Sequence, residues 1–383
     1  MTEARLLEEQ ADRAAAAGQV DAARSLLERA VGAADAPIEL WVKLSAMRKA
    51  SGDLKGALQA IDQALALSPL NFPALLSRAV ILDGLRHPDA GEAYGHALAQ
   101  IDSEDSIPVQ MIPAVQYARQ RRDEYRRQLE KNLTTRLPSS LSAVERGRVE
   151  RFISNRSRST RHYHQEPSDF HYPGLPEIEF HDRDLFPNIE VLEQATADIR
   201  AEFNALIAAE AAEMVPYVQY PDRVPLRQWR ELNNNRDWTA IHLLKDGSPV
   251  EINARHCPRT MEAIGHMDQP RVPGASPVAM FSLLAPRTRI PAHTGVANTR
   301  LVCHLPLIVP PDCGFRVGAT TREWRVGEAF VFDDSIEHEA WNDSDELRVV
   351  LIIDVWPPAL GEAERQAVAA VIGSTDPNLI PTQ

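Results

Sequence analysis

The segments 278-VAMFSLLA-285, 300-RLVCHLPLIV-309, 314-GFRVG-318, 328-EAFVFDD-334 and 347-LRVVLIIDVW-356 decide how this chain folds. Each is rich in β-branched, aliphatic and aromatic residues, and Gly, Pro or Asp separates it from the next. Such side chains fit a pleated, half-buried surface, and the punctuating residues fit turns. Runs of this kind at roughly 12–20-residue spacing predict a β-sandwich or jelly roll. The last run is apolar on both faces, which predicts a strand at the centre of its sheet. Around these runs, residues 190–214 and 360–373 carry amphipathic patterns, and each predicts one helix.

Residues 1–100 have a different period. Ala57, Leu58, Ile61, Ala64 and Leu65 recur at helical spacing. A longer repeat overlies it, because Gly18 and Gly52, Asp21 and Lys55, Ala23 and Ala57, Leu27 and Ile61, and Ala30 and Ala64 are each 34 residues apart. The next register, at Arg86, Gly91 and Leu98, fits loosely. Small residues at the helix contacts, a glycine at the turn and Pro69 after the second helix resemble the tetratricopeptide repeat. Residues 116–161 are then basic, but Glu124, Glu130, Glu145 and Glu150 interleave, which reads as solvated helix surface broken by Pro138. Residues 162–190 are irregular. Their histidines, His162, His164, His171 and His181, fit no regular metal-ligand spacing and are expected to face solvent. The division expected is therefore helical repeats over 1–115, a helical linker over 116–164 and a β-rich catalytic domain over 165–383, an α+β multidomain chain.

Composition sets the outer limits. The 383 residues are 44% hydrophobic and 25% charged, which excludes disordered, collagen-like and disulfide-scaffold classes. Forty-one Lys and Arg against 54 Asp and Glu leave a net charge of −13, so the chain as a whole has no electrostatic footprint for nucleic acid or anionic lipid. Cys257, Cys303 and Cys313 form no CxxC pair, which suits a reducing cytoplasm. The N-terminus lacks the basic start and apolar run of a signal peptide, and the apolar run at Val349–Val355 falls far short of the ~20 residues of a membrane span. A cytoplasmic protein with no nucleic-acid and no membrane partner is the expectation.

Two histidines stand out among the strands. His293 lies in 291-PAHTG-295 and His338 in 333-DDSIEHEAW-341. Histidines on different strands at the mouth of a jelly roll are a way to hold non-haem Fe(II), with a carboxylate usually two residues after the first. Here that position is Gly295. Arg348 can grip a dicarboxylate through two parallel hydrogen bonds, a geometry lysine lacks. Ser282 precedes His293 by eleven residues and can bond the same carboxylate. Period-two alternation puts Arg300, Val302 and His304 on one strand face.

The stretches 293-HTGVANTRLVCHLPLIVPPDCGFRVG-318, 324-WRVGEAFVFDDSIEHEAWNDS-344 and 348-RVVLIIDVW-356 resemble the aspartyl/asparaginyl β-hydroxylases, over about residues 165–360. The resemblance implies a double-stranded β-helix (jelly roll, cupin-like) that uses Fe(II), 2-oxoglutarate and O2. It implies iron held by His293 and His338 alone, with water taking the place a carboxylate at 295 would fill. It implies 2-oxoglutarate bound by Ser282, His304 and Arg348. Some members carry an arginine where this chain has Val302, and Arg300 is the expected substitute. Asp333, Asp334 and Ser335 are expected to orient His338, and Trp238, in 237-DWTAIHLLKDG-247, to line the pocket mouth. The implied reaction is hydroxylation of the β-carbon of Asp or Asn in a peptide or protein, with a carrier-bound or free amino acid left open. Family members often carry tetratricopeptide helices, whose concave groove suits an extended peptide. Two other readings compete: a cupin-type metal protein of other chemistry, and a peptide-binding scaffold with an inert barrel. The pairing of Arg348 with Ser282 argues against the first, and the two histidines kept beside Arg348 argue against the second.

Overall fold

Three helical hairpins follow from the 34-residue period. They are α1 (Glu3–Ala16) with α2 (Val20–Ala30), α3 (Ile38–Ala50) with α4 (Leu54–Leu67), and α5 (Phe72–Gly84) with α6 (Ala90–Leu98). The hairpin turns carry Gly18 at φ 73°, Gly52 at φ 85° and Arg86 at φ 53°. The third turn therefore keeps the left-handed conformation without a glycine, at a position where a side chain is strained. Ala23, Leu27, Ala30, Ala57, Ile61 and Ala64 are all buried between helices. Caps start two of the helices: the Asp53 carboxylate accepts from the Gly56 N–H and the Asn71 side chain from the Ala74 N–H.

Helix α7 (Ile112–Thr134) closes this stack. A Cβ at Gly91 would stand 2.7 Å from the Tyr125 Cβ, so the third repeat has glycine where the others have alanine because α7 seats there. Asp83 accepts from Arg121 Nε at 2.8 Å and Nη2 at 2.7 Å, from Tyr125 at 2.8 Å and from Tyr94 at 3.0 Å. The Arg121 guanidinium holds the Asp83 carboxyl below its ordinary range. Helix α8 (Ala143–Arg156) follows, started by a capping box between Ser142 and Glu145. The computed structural model describes residues 3–32, 36–103, 107–221 and 227–373, and the chain divides into two compact units, 1–160 and 161–383. No helix among the described residues is long and apolar enough to cross a membrane.

The second unit is built on two antiparallel sheets. Its strands are β1 (Val215–Pro216), β2 (Trp238–Lys245), β3 (Ser248–Pro249), β4 (Ala279–Leu284), β5 (Thr288–His293), β6 (Leu301–Ile308), β7 (Cys313–Val317), β8 (Thr320–Arg322), β9 (Phe330–Phe332), β10 (His338–Asn342) and β11 (Arg348–Val355). The larger sheet runs β1-β2-β4-β11-β6-β9, with β3 paired to β2, and the smaller runs β5-β10-β7-β8. Strand β11 lies between β4 and β6 and is buried throughout, as its two apolar faces demand. Alternate residues of β6 divide the core. Val302 faces Ile290, Phe315 and Ala340 of the smaller sheet, and Leu301, Cys303 and Leu305 pack on the helices outside.

The helices of this unit are α9 (Ile189–Gln194), α10 (Thr196–Ala208), α11 (Glu251–Ala254), α12 (Pro258–Gly265) and α13 (Glu362–Gly373). Residues 190–214 are thus not one helix. Ala195 ends α9 at ψ −2°, the Thr196 hydroxyl takes the Glu193 carbonyl, and Glu210 at φ 49° ends the helical run after α10.

Candidate active site

The smaller sheet supplies two histidines. His293 ends β5, His338 opens β10, and the two are register partners with ring centroids 4.1 Å apart. Each ring is anchored to the backbone two residues earlier: Nδ1 lies 2.8 Å from the Pro291 carbonyl and 3.1 Å from the Ile336 carbonyl, respectively. A carbonyl only accepts, so each Nδ1 carries the proton and each Nε2 presents a free lone pair. Burial pushes His293 down to about 3, helped by the neighbouring His338, and pushes His338 down to about 4. Both imidazoles are neutral at physiological pH, the form that ligates a metal.

The larger sheet supplies an arginine pocket. Arg348 is 2% exposed at the start of β11. Its Nη1 reaches only the Ser282 carbonyl at 3.4 Å and hydroxyl at 3.5 Å, and its guanidinium lies 4.8 Å from the centre of the Trp324 ring. Its Nε has no hydrogen-bond partner, and no carboxylate among the described residues pairs with it. Burial pushes this guanidinium down to about 10. Trp238 donates from Nε1 to Ser282 Oγ at 3.1 Å, which fixes the hydroxyl beside Arg348. His304 lies on β6 among Phe315, Trp324, Phe330 and Phe332, and burial first, then Arg348, holds it far below its ordinary value.

Arg300 is engaged elsewhere. It donates to Asp334 Oδ2 at 2.9 Å, and its Nε lies 3.6 Å from Asp354 Oδ1. The expectation that Arg300 substitutes for the arginine missing at Val302 meets these two buried carboxylates, which already balance its charge. Its Nη1 and Asp334 Oδ1 are nevertheless buried without partners. Asp334 also stands where residue 295 would carry a side chain: a Cβ there would be 2.2 Å from Oδ2 and 2.9 Å from Oδ1. The Gly295 N–H donates to the Asp334 carbonyl at 2.6 Å, which locks the two loops together.

Residues 193–358 match the sequence profile of the aspartyl/asparaginyl beta-hydroxylases. Over these residues the chain is similar to that family. The human aspartate beta-hydroxylase domain-containing protein 2 is 32% identical over 228 residues, 58% of this chain and 59% of that protein. The Rhizobium tropici ornithine lipid ester-linked acyl 2-hydroxylase is 32% identical over 196 residues, 50% of this chain and 66% of that protein. The chain spans about three fifths of the length of the curated relatives it matches. Among solved structures, the Arabidopsis OM64 TPR domain aligns with 32% of this chain and 95% of its own, at 19% identity and a TM-score of 0.28.

The domain that carries this similarity surrounds the histidine pair with aromatic rings. Trp238 stacks on Tyr217 with centroids 3.8 Å apart, and Trp229 meets the His293 ring edge-on at 4.8 Å. Tyr217 and Trp229 escape a reading of the sequence, because Tyr217 directly follows a two-residue strand and Trp229 ends a three-residue turn, with no periodicity to mark either. Asp333 is a brace: its Oδ1 accepts from the Ser335 hydroxyl at 2.5 Å and its Oδ2 from Gln165 Nε2 at 2.5 Å. Burial lifts its carboxyl to about 6. The loop histidines divide. His162, His164 and His171 are exposed, while His181 is half-buried, lacks a partner at Nε2 and is pushed down by burial to about 4. The sequence spacing of these histidines gives no metal-ligand pattern, but Glu177 comes from another part of the loop to stand beside His162 and His164, and the three together are a set that could hold a cation.

Proposed function

We propose that this β-hydroxylase domain is an Fe(II)- and 2-oxoglutarate-dependent oxygenase on a double-stranded β-helix core, hydroxylating the β-carbon of an Asp or Asn unit in a peptide or protein. Arg348 carries the reading. A buried charge without a counter-ion costs several kcal/mol, and a carboxylate placed against its free Nε would remove that cost. Ser282, held by Trp238, offers the same carboxylate a hydroxyl. His293 and His338, neutral and with both Nε2 atoms free, suit a divalent iron. Asp334 Oδ1, beside residue 295, has no hydrogen-bond partner and can accept one from a water held by the metal.

Iron with 2-oxoglutarate and O2 supplies oxidative decarboxylation of the cosubstrate to succinate and CO2, coupled to insertion of one oxygen atom into a C–H bond. The chain's own residues do the rest. His293 and His338 anchor the metal through rings that their Nδ1 bonds keep from rotating. Arg348 fixes the far end of the cosubstrate. The stacked Tyr217 and Trp238, with Trp229 beside them, keep water from the reacting carbon and orient it.

These apolar rings also support a second substrate class, the acyl group of a lipid, as in the name of the Rhizobium relative. Anaerobic addition of Fe(II) and 2-oxoglutarate should produce a visible charge-transfer band that is absent from His338→Ala. Succinate formation should then rise with Asp- or Asn-containing peptides and not with acyl lipids. A missing band in the parent protein refutes the oxygenase, and stimulation by lipids alone refutes the peptide assignment.

A further inference from the structure

A second cluster of metal-ligating groups lies outside the histidine pair, on the segment that leads into the domain. His162 and His164 are two residues apart, and their side chains lie together on one side of the chain. Glu177 returns to them across the loop. Its Oε2 lies 3.1 Å from His164 Nδ1 and 3.8 Å from His162 Nε2, and the ligating atoms of all three residues lie within 4.8 Å of one another. Donors bound tetrahedrally at zinc distances stand about 3.3 Å apart. The observed spacings bracket that value. The carboxylate is held in place, because Glu177 Oε1 accepts the Gln165 N–H at 3.0 Å, and that bond together with His164 keeps its carboxyl below the ordinary range. The two imidazoles touch, with centroids 4.2 Å apart and His162 Nδ1 3.1 Å from His164 Nε2. A shared cation suits such a pair, whereas a proton on each ring would set two positive charges side by side.

From this geometry we propose a divalent-cation site of the zinc class, built by His162, His164 and Glu177, with its fourth position open to water. Two nitrogens and one carboxylate favour zinc over ferrous iron, because affinity for such donors rises from Fe(II) towards Zn(II). This site is a donor set separate from the catalytic pair. It acts on that pair through Gln165, the residue next to His164. The Gln165 side chain donates to Asp333 Oδ2 at 2.5 Å and accepts from Asn298 at 2.8 Å, and the Glu166 N–H donates to the Ser335 carbonyl at 2.8 Å. A cation that ties residue 164 to residue 177 clamps the segment that braces the 333–335 loop, and that loop leads directly into His338.

Zinc titration of the full-length, chelator-stripped chain tests the site. The His293→Ala/His338→Ala variant, which lacks the catalytic pair, should keep one equivalent of Zn2+ and gain thermal stability on binding it. Adding Glu177→Gln or His164→Ala should weaken that equivalent by more than the roughly 10–100-fold that loss of an outer contact costs. Co2+ in the same variant should give the intense visible bands of a four-coordinate ion. If the double variant does not fold, as judged by circular dichroism, the parent chain serves: exposed Glu177→Gln should lower its Zn2+ stoichiometry by one. Absence of Zn2+ binding in a folded double variant, or binding that Glu177→Gln and His164→Ala leave unchanged, overturns the proposal.

Discussion

Replacing Gly295 with alanine adds one methyl group, and the structure says what it meets. The new Cβ would lie 2.2 Å from Asp334 Oδ2, 2.5 Å from its Cγ and 2.9 Å from Oδ1. The Asp334 side chain has to retreat, and it cannot do so while holding Arg300 at 2.9 Å. Both partners are mostly buried, with side-chain exposures of 18% and 10%. Breaking a buried pair of this kind costs about 3–5 kcal/mol. For a unit of this size each kcal/mol lowers Tm by about 2–4 °C, so Gly295→Ala should unfold roughly 6–20 °C earlier. Gly295→Asp should be worse, because it sets a second carboxylate against the first, and it should not tighten Fe(II) binding. Asp334→Gly made together with Gly295→Asp moves the carboxylate from one loop to the other and should recover much of the loss. Differential scanning calorimetry and anaerobic Fe(II) titration read both quantities. Gly295→Asp with an unchanged Tm and tighter Fe(II) binding would refute the reasoning, since it would mean that the space beside residue 295 is open.

Three further outcomes follow from other residues. Arg348→Met removes a buried charge that has no counter-ion, so the protein without cosubstrate should melt higher, while 2-oxoglutarate affinity falls by about 2–5 kcal/mol. A lower Tm together with unchanged affinity contradicts both halves. His181 is held down to about 4, below its value of about 6.5 in the unfolded chain, so the unfolded state binds more protons between those values. Stability should fall as pH drops through that window, by at most about 1.4 kcal/mol per pH unit from this group, and His181→Phe should flatten the fall in denaturant midpoints measured from pH 7 to pH 4. Deleting residues 1–160 should leave 2-oxoglutarate turnover without substrate intact, because every candidate iron and cosubstrate ligand lies beyond residue 280. The same deletion should raise KM for a peptide substrate, and equal peptide hydroxylation with and without the repeats sinks their role in substrate binding.

Local pattern made much of this legible beforehand. The 34-residue spacing from Gly18 to Gly52 lands on Arg86, and all three share the left-handed turn. The two apolar faces of residues 347–356 put β11 at the centre of its sheet. His293 and His338 could be singled out because each sits beside turn residues at a strand end. Periodicity does not say which distant segments meet. Asp334 stands against Gly295 from 39 residues away, Asp354 reaches Arg300 from the far end of β11, and Glu177 returns to His164. Each of these contacts depends on how loops close, and a linear pattern carries no signal for that. Gly91 shows the same limit, since its lack of a side chain makes sense only once Tyr125 of α7 is seen against it.

The candidate metal ligands and the candidate cosubstrate groups belong to different sheets. His293 and His338 sit on β5 and β10, whereas Ser282, His304 and Arg348 sit on β4, β6 and β11. A molecule gripped at one end by iron and at the other by Arg348 is then a strut across the sandwich. Under the proposed function its binding would stiffen the gap and its turnover would release it, loading and unloading the two layers in each cycle. Amide hydrogen exchange in β5 and β10 should therefore slow when 2-oxoglutarate binds, although the groups proposed to hold its distal carboxylate lie on the other sheet.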